Sequence, residues 1–362
     1  MPESILSRDA VYSAVPTVRV DGQANAMLVN QLIAMEMRER EGGMSALELR
    51  FSNYGSQAPA LGALMFEDGS ILKLGATMQV FAGDVTSPTE IFRGKITALE
   101  GRFSRDGSAE LVVLAEDLLQ SARLARRTKT WDNATLADIA TQVASQAGLT
   151  PVIDGLASNI GTQLQFNESD LHFLRRLLAR YDADLQVSGT ELHATSRAQA
   201  QRNTVEVVKK SQLREVRVVA DLAHQVSEVT VSGWDYQQGQ RISATSQIAA
   251  FGPGSGKNGK QWLEQALATR SQHLGQFAAL DTTDAQALAD AEFAQRLRRF
   301  LVAHGVSEGN PNLRVGTHLK LTGLGPRFDN TYYTSATTHR FDTAKGYETE
   351  FTAECAYLGG AA

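Results

Sequence analysis

The side chains that could do chemistry are scattered through this sequence rather than grouped. The seven histidines, His172, His193, His224, His273, His304, His318 and His339, include no pair at the spacing that brings two imidazoles to one metal ion. His339 lies in a strand pattern, where an imidazole is more often a sheet residue than a ligand. Cys355 is the single cysteine, which leaves no intrachain disulfide, no thiolate metal cage and no evident base to make it a nucleophile. No serine stands in a nucleophile-elbow pattern. Carboxylates are numerous, and no spacing selects two of them for acid/base work. The loop Gly252 to Asn258 has the composition of a phosphate cradle. However, Phe251 occupies the place of its first glycine, and Asn258 the place of the hydroxyl that follows the lysine. It reads as a flexible loop. The expectation is a protein that is not an enzyme and holds no cofactor or metal.

Charge suggests a different kind of site. Arg123, Arg126, Arg127 and Lys129 form the densest positive run, and a helix further on carries Arg175, Arg176 and Arg180 off its apolar face. A run of this kind is most often a solvated surface, and no aromatics interleave it to stack bases; the six arginines are a candidate contact surface for another protein. Over the whole chain, 35 Lys and Arg against 40 Asp and Glu leave a net charge of −5, with no overall pull toward nucleic acid or an anionic membrane. The first ten residues show no apolar core behind a basic start, and no run of about 18 apolar residues occurs. The chain is expected to be made and folded in the cytoplasm.

The elements that must position these groups are mostly strands. At 362 residues the chain is long enough for two or three cores. Up to residue 127, short strands follow one another between Gly and Asp turns: Val18 and Val20, Leu32 to Met37, Ala46 to Phe51, Ile71 to Leu74, Met78 to Phe81, Ile91 to Leu99 and Ala109 to Ala115. From 128 to 200 an α+β module is expected. Its first helix follows Trp131, with Thr135 or Asn133 as cap and Gly148 as stop. Its second has Asn167 as cap and Asp170 beside it, with Leu171, Phe173, Leu174, Leu177, Leu178 and Tyr181 on the buried stripe. A hairpin follows around Ser188-Gly189, then a polar connector from 196 to 203. From 201 to 362 strands resume, with the hairpin Ser227 to Thr245 and a helical insertion at about 257–305. That insertion holds a possible helix from Gln261 to Phe277 and a firmer one capped by Thr283, with Gln286 as its capping-box partner.

The two β regions resemble each other. Leu72-Lys73-Leu74-Gly75 before Met78 matches Leu313-Arg314-Val315-Gly316 before Leu319. Arg102-Phe103 then matches Arg340-Phe341, and Ala115-Glu116 matches Ala353-Glu354. The fold expected is α+β and predominantly β, with two related antiparallel β-barrels flanking the small module.

One phrase also resembles a known family. Gln165-Phe166-Asn167-Glu168-Ser169-Asp170-Leu171-His172-Phe173-Leu174 is similar to the signature of contractile-tail baseplate hubs. These are the phage late control protein D family and the N-terminal hub region of valine-glycine-repeat (VgrG) spikes. Phe166, Glu168, Ser169, Asp170, Phe173 and Leu174 carry the likeness. It is joined by Trp234 in Gly233-Trp234-Asp235, Gly316 after Glu308-Gly309-Asn310-Pro311, and His339 before the last hairpin. The resemblance implies a homotrimeric, pseudo-sixfold symmetry adaptor that joins a tail tube or tube initiator to a central spike or needle and meets baseplate wedge proteins. Its place would be a phage virion tail or injection particle, assembled in the bacterial cytoplasm. The chain stops without a spike domain, so on its own it is expected neither to pierce a membrane nor to bind nucleic acid stably. A second resemblance, of Trp131 to Ile153 to peptidoglycan-binding LysM units, implies instead a cell-wall glycan-binding module.

Overall fold

A computed structural model describes residues 12–54, 64–84, 86–105, 107–235, 238–275 and 279–359. The first β region contains β1 (Tyr12–Val20), β2 (Gln23–Ala24), the short helix α1 (Ala26–Gln31), β3 (Leu32–Arg40), β4 (Ala46–Ser52), β5 (Thr77–Asp84), β6 (Thr89–Arg102) and β7 (Glu110–Asp117). The middle holds α2 (Ser121–Leu124), β8 (Arg126–Trp131), α3 (Leu136–Gln146), β9 (Thr150–Ile153), β10 (Gln163–Ser169), α4 (Asp170–Arg180), β11 (Ala183–Ser188) and β12 (Glu191–Ser196). Next come β13 (Asn203–Val208), β14 (Leu213–Ala220), β15 (Glu228–Asp235), β16 (Gln240–Ser246), β17 (Lys257–Asn258), α5 (Gly259–Ala266), β18 (Ser271–Leu274) and α6 (Thr282–Arg298). The chain ends on β19 (Leu301–Glu308), β20 (Thr317–Thr322), β21 (Asn330–Asp342), β22 (Gly346–Cys355) and β23 (Tyr357–Leu358). The architecture is predominantly β within the α+β class, as the alternation of apolar residues predicts.

Thirteen strands form one sheet in the order β14-β19-β22-β21-β3-β4-β7-β6-β5-β1-β2, with β20 on β21 and β13 on β20. The two β regions are therefore hydrogen-bonded directly to each other. Strand β3 runs antiparallel to β21, from Ala34 opposite Asp342 to Arg40 opposite Ala336. This pairing satisfies backbone groups on two edges that would otherwise be left open. Alternate residues of β3 and β4, Met35, Met37, Leu49 and Phe51, face a core that also takes in Phe341 and Tyr347 from the far end of the chain. A second core gathers Val205, Leu301, Leu319, Tyr332 and Phe351. The module has its own core on α3 and α4, and α6 packs on β15 and β16 around Phe293.

The likeness between the β regions extends to their hydrogen-bond registers. Strands β6 and β7 pair Arg102 with Glu110, and β21 and β22 pair Arg340 with Glu348, each residue 238 positions later. Both pairs carry a bulge at the same place, between Ile96 and Ala98 and between Thr334 and Ala336. Likewise β3 and β4 pair Met37 with Leu47 where β14 and β19 pair Val218 with Ala303. The bulge between Leu32 and Ala34 recurs between Leu213 and Glu215. Even the turn before β5 is repeated. The Gly75 amide donates to the Ile96 carbonyl as that of Gly316 does to Thr334, and both glycines sit at positive φ, 82° and 86°. That turn occupies the place where Ile71 to Leu74 reads as a strand.

Three other local expectations are corrected. Helix α4 is capped by Ser169, whose hydroxyl accepts from the His172 amide. Asn167 is instead a left-handed bulge residue at φ 50°, because β10 stays paired with β8 as far as Ser169 and delays the helix. Helix α6 is capped by Asp281 rather than Thr283. Gln286 reaches Asp290 and the Thr245 carbonyl instead of closing a capping box. The helix beginning near Gln261 ends at Ala266, since Ser271–Leu274 pairs parallel with β15; residues 276–278 lie outside the described residues. Thr135 does cap α3 with a full capping box to Asp138, and Gly148 follows it at φ 72°.

Candidate functional site

Where the β regions and the module meet, charged side chains are buried in numbers. Glu39 stands on the inward face of β3 in line with Met35 and Met37. Its carboxylate accepts from the Arg314 guanidinium, Thr337 Oγ1 at 3.1 Å and Gln186 Nε2 at 3.0 Å. Burial alone would raise its pKa, but the charge and hydrogen bonds of Arg314 outweigh burial and hold the carboxyl below its ordinary range. Arg197, 1% exposed, lies over the Tyr333 ring at 3.0 Å and pairs with Glu41 and Glu354. It comes from the stretch that reads as a polar connector. Asp184 pairs with Arg202, and Asp182 with Arg298. The Arg202 guanidinium fills the space where a Cβ on Gly316 would stand. A cleft of about 900 Å³ opens over this junction, lined by Glu41, Gly43, Arg175, Asp182, Arg298 and Glu354 among others.

Helix α4 is held to both sides of the junction. Arg175 donates from Nε and Nη2 to the Gly42 and Gly43 carbonyls in the β3–β4 turn. Arg180 lies 3.9 Å from Asp284 of α6, which also accepts from the Tyr181 hydroxyl at 2.8 Å. Of the helix arginines, Arg176 is the one turned outward, hydrogen-bonded to Glu168 at 2.8 Å. Arg126 donates to the Asn167 carbonyl, Arg127 to Asp170, and Arg123 to Glu116. The fold thus gathers Arg126, Arg127, Glu168, Ser169, Asp170 and Arg176 at the start of α4 and sends Arg175 and Arg180 inward. Phe173 and Leu174 are core residues, whereas Phe166 is 68% exposed on β10. Trp234 is half-exposed on the β15–β16 hairpin, and Gly316 and His339 lie in the second β region.

Cys355 and His339 are occupied structurally. Burial pushes the Cys355 thiol up to about 12. Burial and the Arg314 charge push His339 down to about 3, so the imidazole is neutral as it meets the Tyr347 hydroxyl at 2.7 Å. Among the described residues no group of three His, Cys, Asp or Glu is placed to hold a metal ion. The glycine loop is anchored rather than loose. Phe251 is buried, Asn330 accepts from the Ser255 amide, and Asn258 caps α5. Trp131 is buried against Phe173, its ring covered by Lys129 at 3.4 Å, so it offers no open face to a sugar. No helix among the described residues is long and apolar enough to cross a membrane.

Sequence reasoning missed Glu39, Asp117, Arg197 and Arg314. Glu39 left a signal: it has the same strand parity as Met35 and Met37, an acid where the alternation demands an apolar residue. Asp117 is buried beside it and accepts from the Ser45 and Leu119 amides, and burial pushes its pKa up to about 6. The folded state then holds this proton more tightly than the unfolded chain. Asp117's contribution to stability therefore falls as pH rises from about 4 to about 6, by on the order of 2–3 kcal/mol. In urea titrations across that range, Asp117→Asn should flatten this part of the slope; an unchanged slope would assign it to another group.

Comparison with solved structures shows the fold of bacteriophage tail proteins. The 43 kDa tail protein of prophage MuSo2 from Shewanella oneidensis is 13% identical, with a TM-score of 0.68 over 94% of this chain and 97% of that one. A tail protein from Neisseria meningitidis MC58 is 12% identical, with a TM-score of 0.64 over 94% and 96%. An Escherichia coli component of the type VI secretion system, described as similar to the T4 tail proteins gp27 and gp5, is 14% identical. Its TM-score is 0.57 over 95% of this chain and 79% of that one. A family model described as the Alg8 N-terminal domain matches residues 57–343, and the chain belongs to that family. No curated protein matches the sequence.

Proposed function

We propose that this chain is the structural hub of a contractile-tail baseplate or related injection particle, similar to the late control protein D family and the hub region of VgrG spikes. In this reading three copies form a ring that joins the tail tube or its initiator to the central spike and meets the wedge proteins around it. The observation that carries the proposal is the duplicated register. One chain holds two β units with the same pairings and the same bulges, so three chains offer six similar faces to a sixfold tube and three to a threefold spike.

Native mass measurement of the chain, alone and with its cognate spike, tests this. A trimer is the expected result, and a monomer in every condition overturns the proposal. The outward arginines carry the second half of the test. Arg176→Glu, which breaks a surface ion pair with Glu168, and Arg126→Glu, which loses an exposed hydrogen bond to the Asn167 carbonyl, should each change folding stability by no more than about 1 kcal/mol while lowering the yield of assembled particles. Arg175→Glu should instead destabilise the free chain, because two backbone carbonyls lose their donor.

A further inference from the structure

The joint between β3 and β21 has a twin that a single chain leaves open. Strand β14 stands to β19 as β3 stands to β4, and β6 stands to β7 as β21 stands to β22. The twin of β3–β21 is therefore β14–β6. Within one chain these strands cannot meet, since β19, β22, β21, β3, β4 and β7 lie between them in the sheet. Among the described residues the outer edge of β14 carries a single bridge, from Lys209 to Leu213 at its start, and no strand pairs with it beyond that. On β6, β5 reaches no further than Lys95, which leaves residues 98–102 paired on the β7 side alone.

Carrying the internal register across gives definite partners. Ala336 opposite Arg40 becomes Ala98 opposite Asp221, and Phe341 opposite Met35 becomes Phe103 opposite Val216. Phe341 is 4% exposed in the core of the first β region, whereas its counterpart Phe103 is 68% exposed. Beside β14 lies a groove of about 270 Å³ lined by Leu213, Val216, Val218, Leu324 and Phe328. On this face Leu99 and Phe103 meet Ala220 and Val216. On the opposite face Arg102 falls opposite Arg217, where the internal joint has Arg340 opposite Glu36; Glu215 lies diagonal to Arg102 and Glu100 diagonal to Arg217, so each guanidinium has a carboxylate beside it.

We propose that residues 98–104 of one copy pair antiparallel with β14 of the next copy in this register, with Phe103 filling the groove. The contact is head-to-tail, so each copy uses one edge and offers the other, and repeating the internal joint around a ring leaves neither edge exposed. The inference rests on the hub reading for its partner, a second copy of this chain, and adds which edges meet and in what register.

The test uses the full-length chain. In Leu99→Cys/Ala220→Cys the two thiols would face each other across copies at a separation a disulfide can span, and the native Cys355 is buried. Mild oxidation should give covalent multimers up to the closed ring, lost on reduction. The register-shifted control Leu99→Cys/Val216→Cys should give at least tenfold less. Phe103→Asp should weaken self-association at least tenfold with the melting temperature of the free chain unchanged. Trimers that persist in Phe103→Asp and cross-link no better than the control overturn this interface while leaving the hub reading intact. A wild-type chain that stays monomeric with its spike present overturns both.

Discussion

Replacing Arg314 with methionine is expected to cost about 3–5 kcal/mol of folding stability, the effect of stranding a buried charge. Glu39 is 2% exposed and its carboxylate is held in its charged form by this guanidinium. Without it, the hydrogen bonds from Gln186 and Thr337 do not supply a counter-charge. Glu39→Leu alone should be costly for the converse reason, since it strands the Arg314 cation. The double variant Glu39→Leu/Arg314→Met should recover most of the loss, because apolar residues of similar size can replace a buried ion pair with little penalty. Urea unfolding of the two single variants and the double one supplies the cycle. Additive losses would show that the two side chains do not act as a pair. Since Glu39 lies on β3 and Arg314 in the turn before β20, the same cycle reports how firmly the two β regions are joined.

Phe173→Ala should be as damaging, about 3–5 kcal/mol, by opening a cavity in the module. The ring, carried by α4, is fully buried in the module core and stacks on Trp131 of β8 with centroids 5.9 Å apart. Its loss should lower the melting transition of the module and expose Trp131 to quencher. Phe166→Ala, seven residues earlier in the same motif, should change stability by no more than about 0.5 kcal/mol, because that ring is already in solvent. Equal effects at the two positions would contradict this packing. The contrast separates two roles within one motif: Phe173 serves the core, and Phe166 lies on the surface, where it is available for contacts in an assembly.

The sequence determined what local physics can determine. Alternation placed β3, β4, β5, β6 and β7, helical spacing identified the buried stripe of α4, and Thr135 and Gly148 marked the ends of α3. The duplication could also be read from matched turns and residues. Tertiary structure decided the rest, since the deciding partners lie far apart in the chain. Asn167 gave up the cap to Ser169 because β8, some forty residues earlier, holds β10 extended past it. Arg175 and Arg180 turned inward because carbonyls in the β3–β4 turn and a carboxylate of α6 were there to receive them. The pairing of β3 with β21 and the pairing of Glu39 with Arg314 join residues about three hundred positions apart, and no local preference encodes them. Parity alone showed that Glu39 points inward; only the folded chain supplied the charge that makes its burial tolerable.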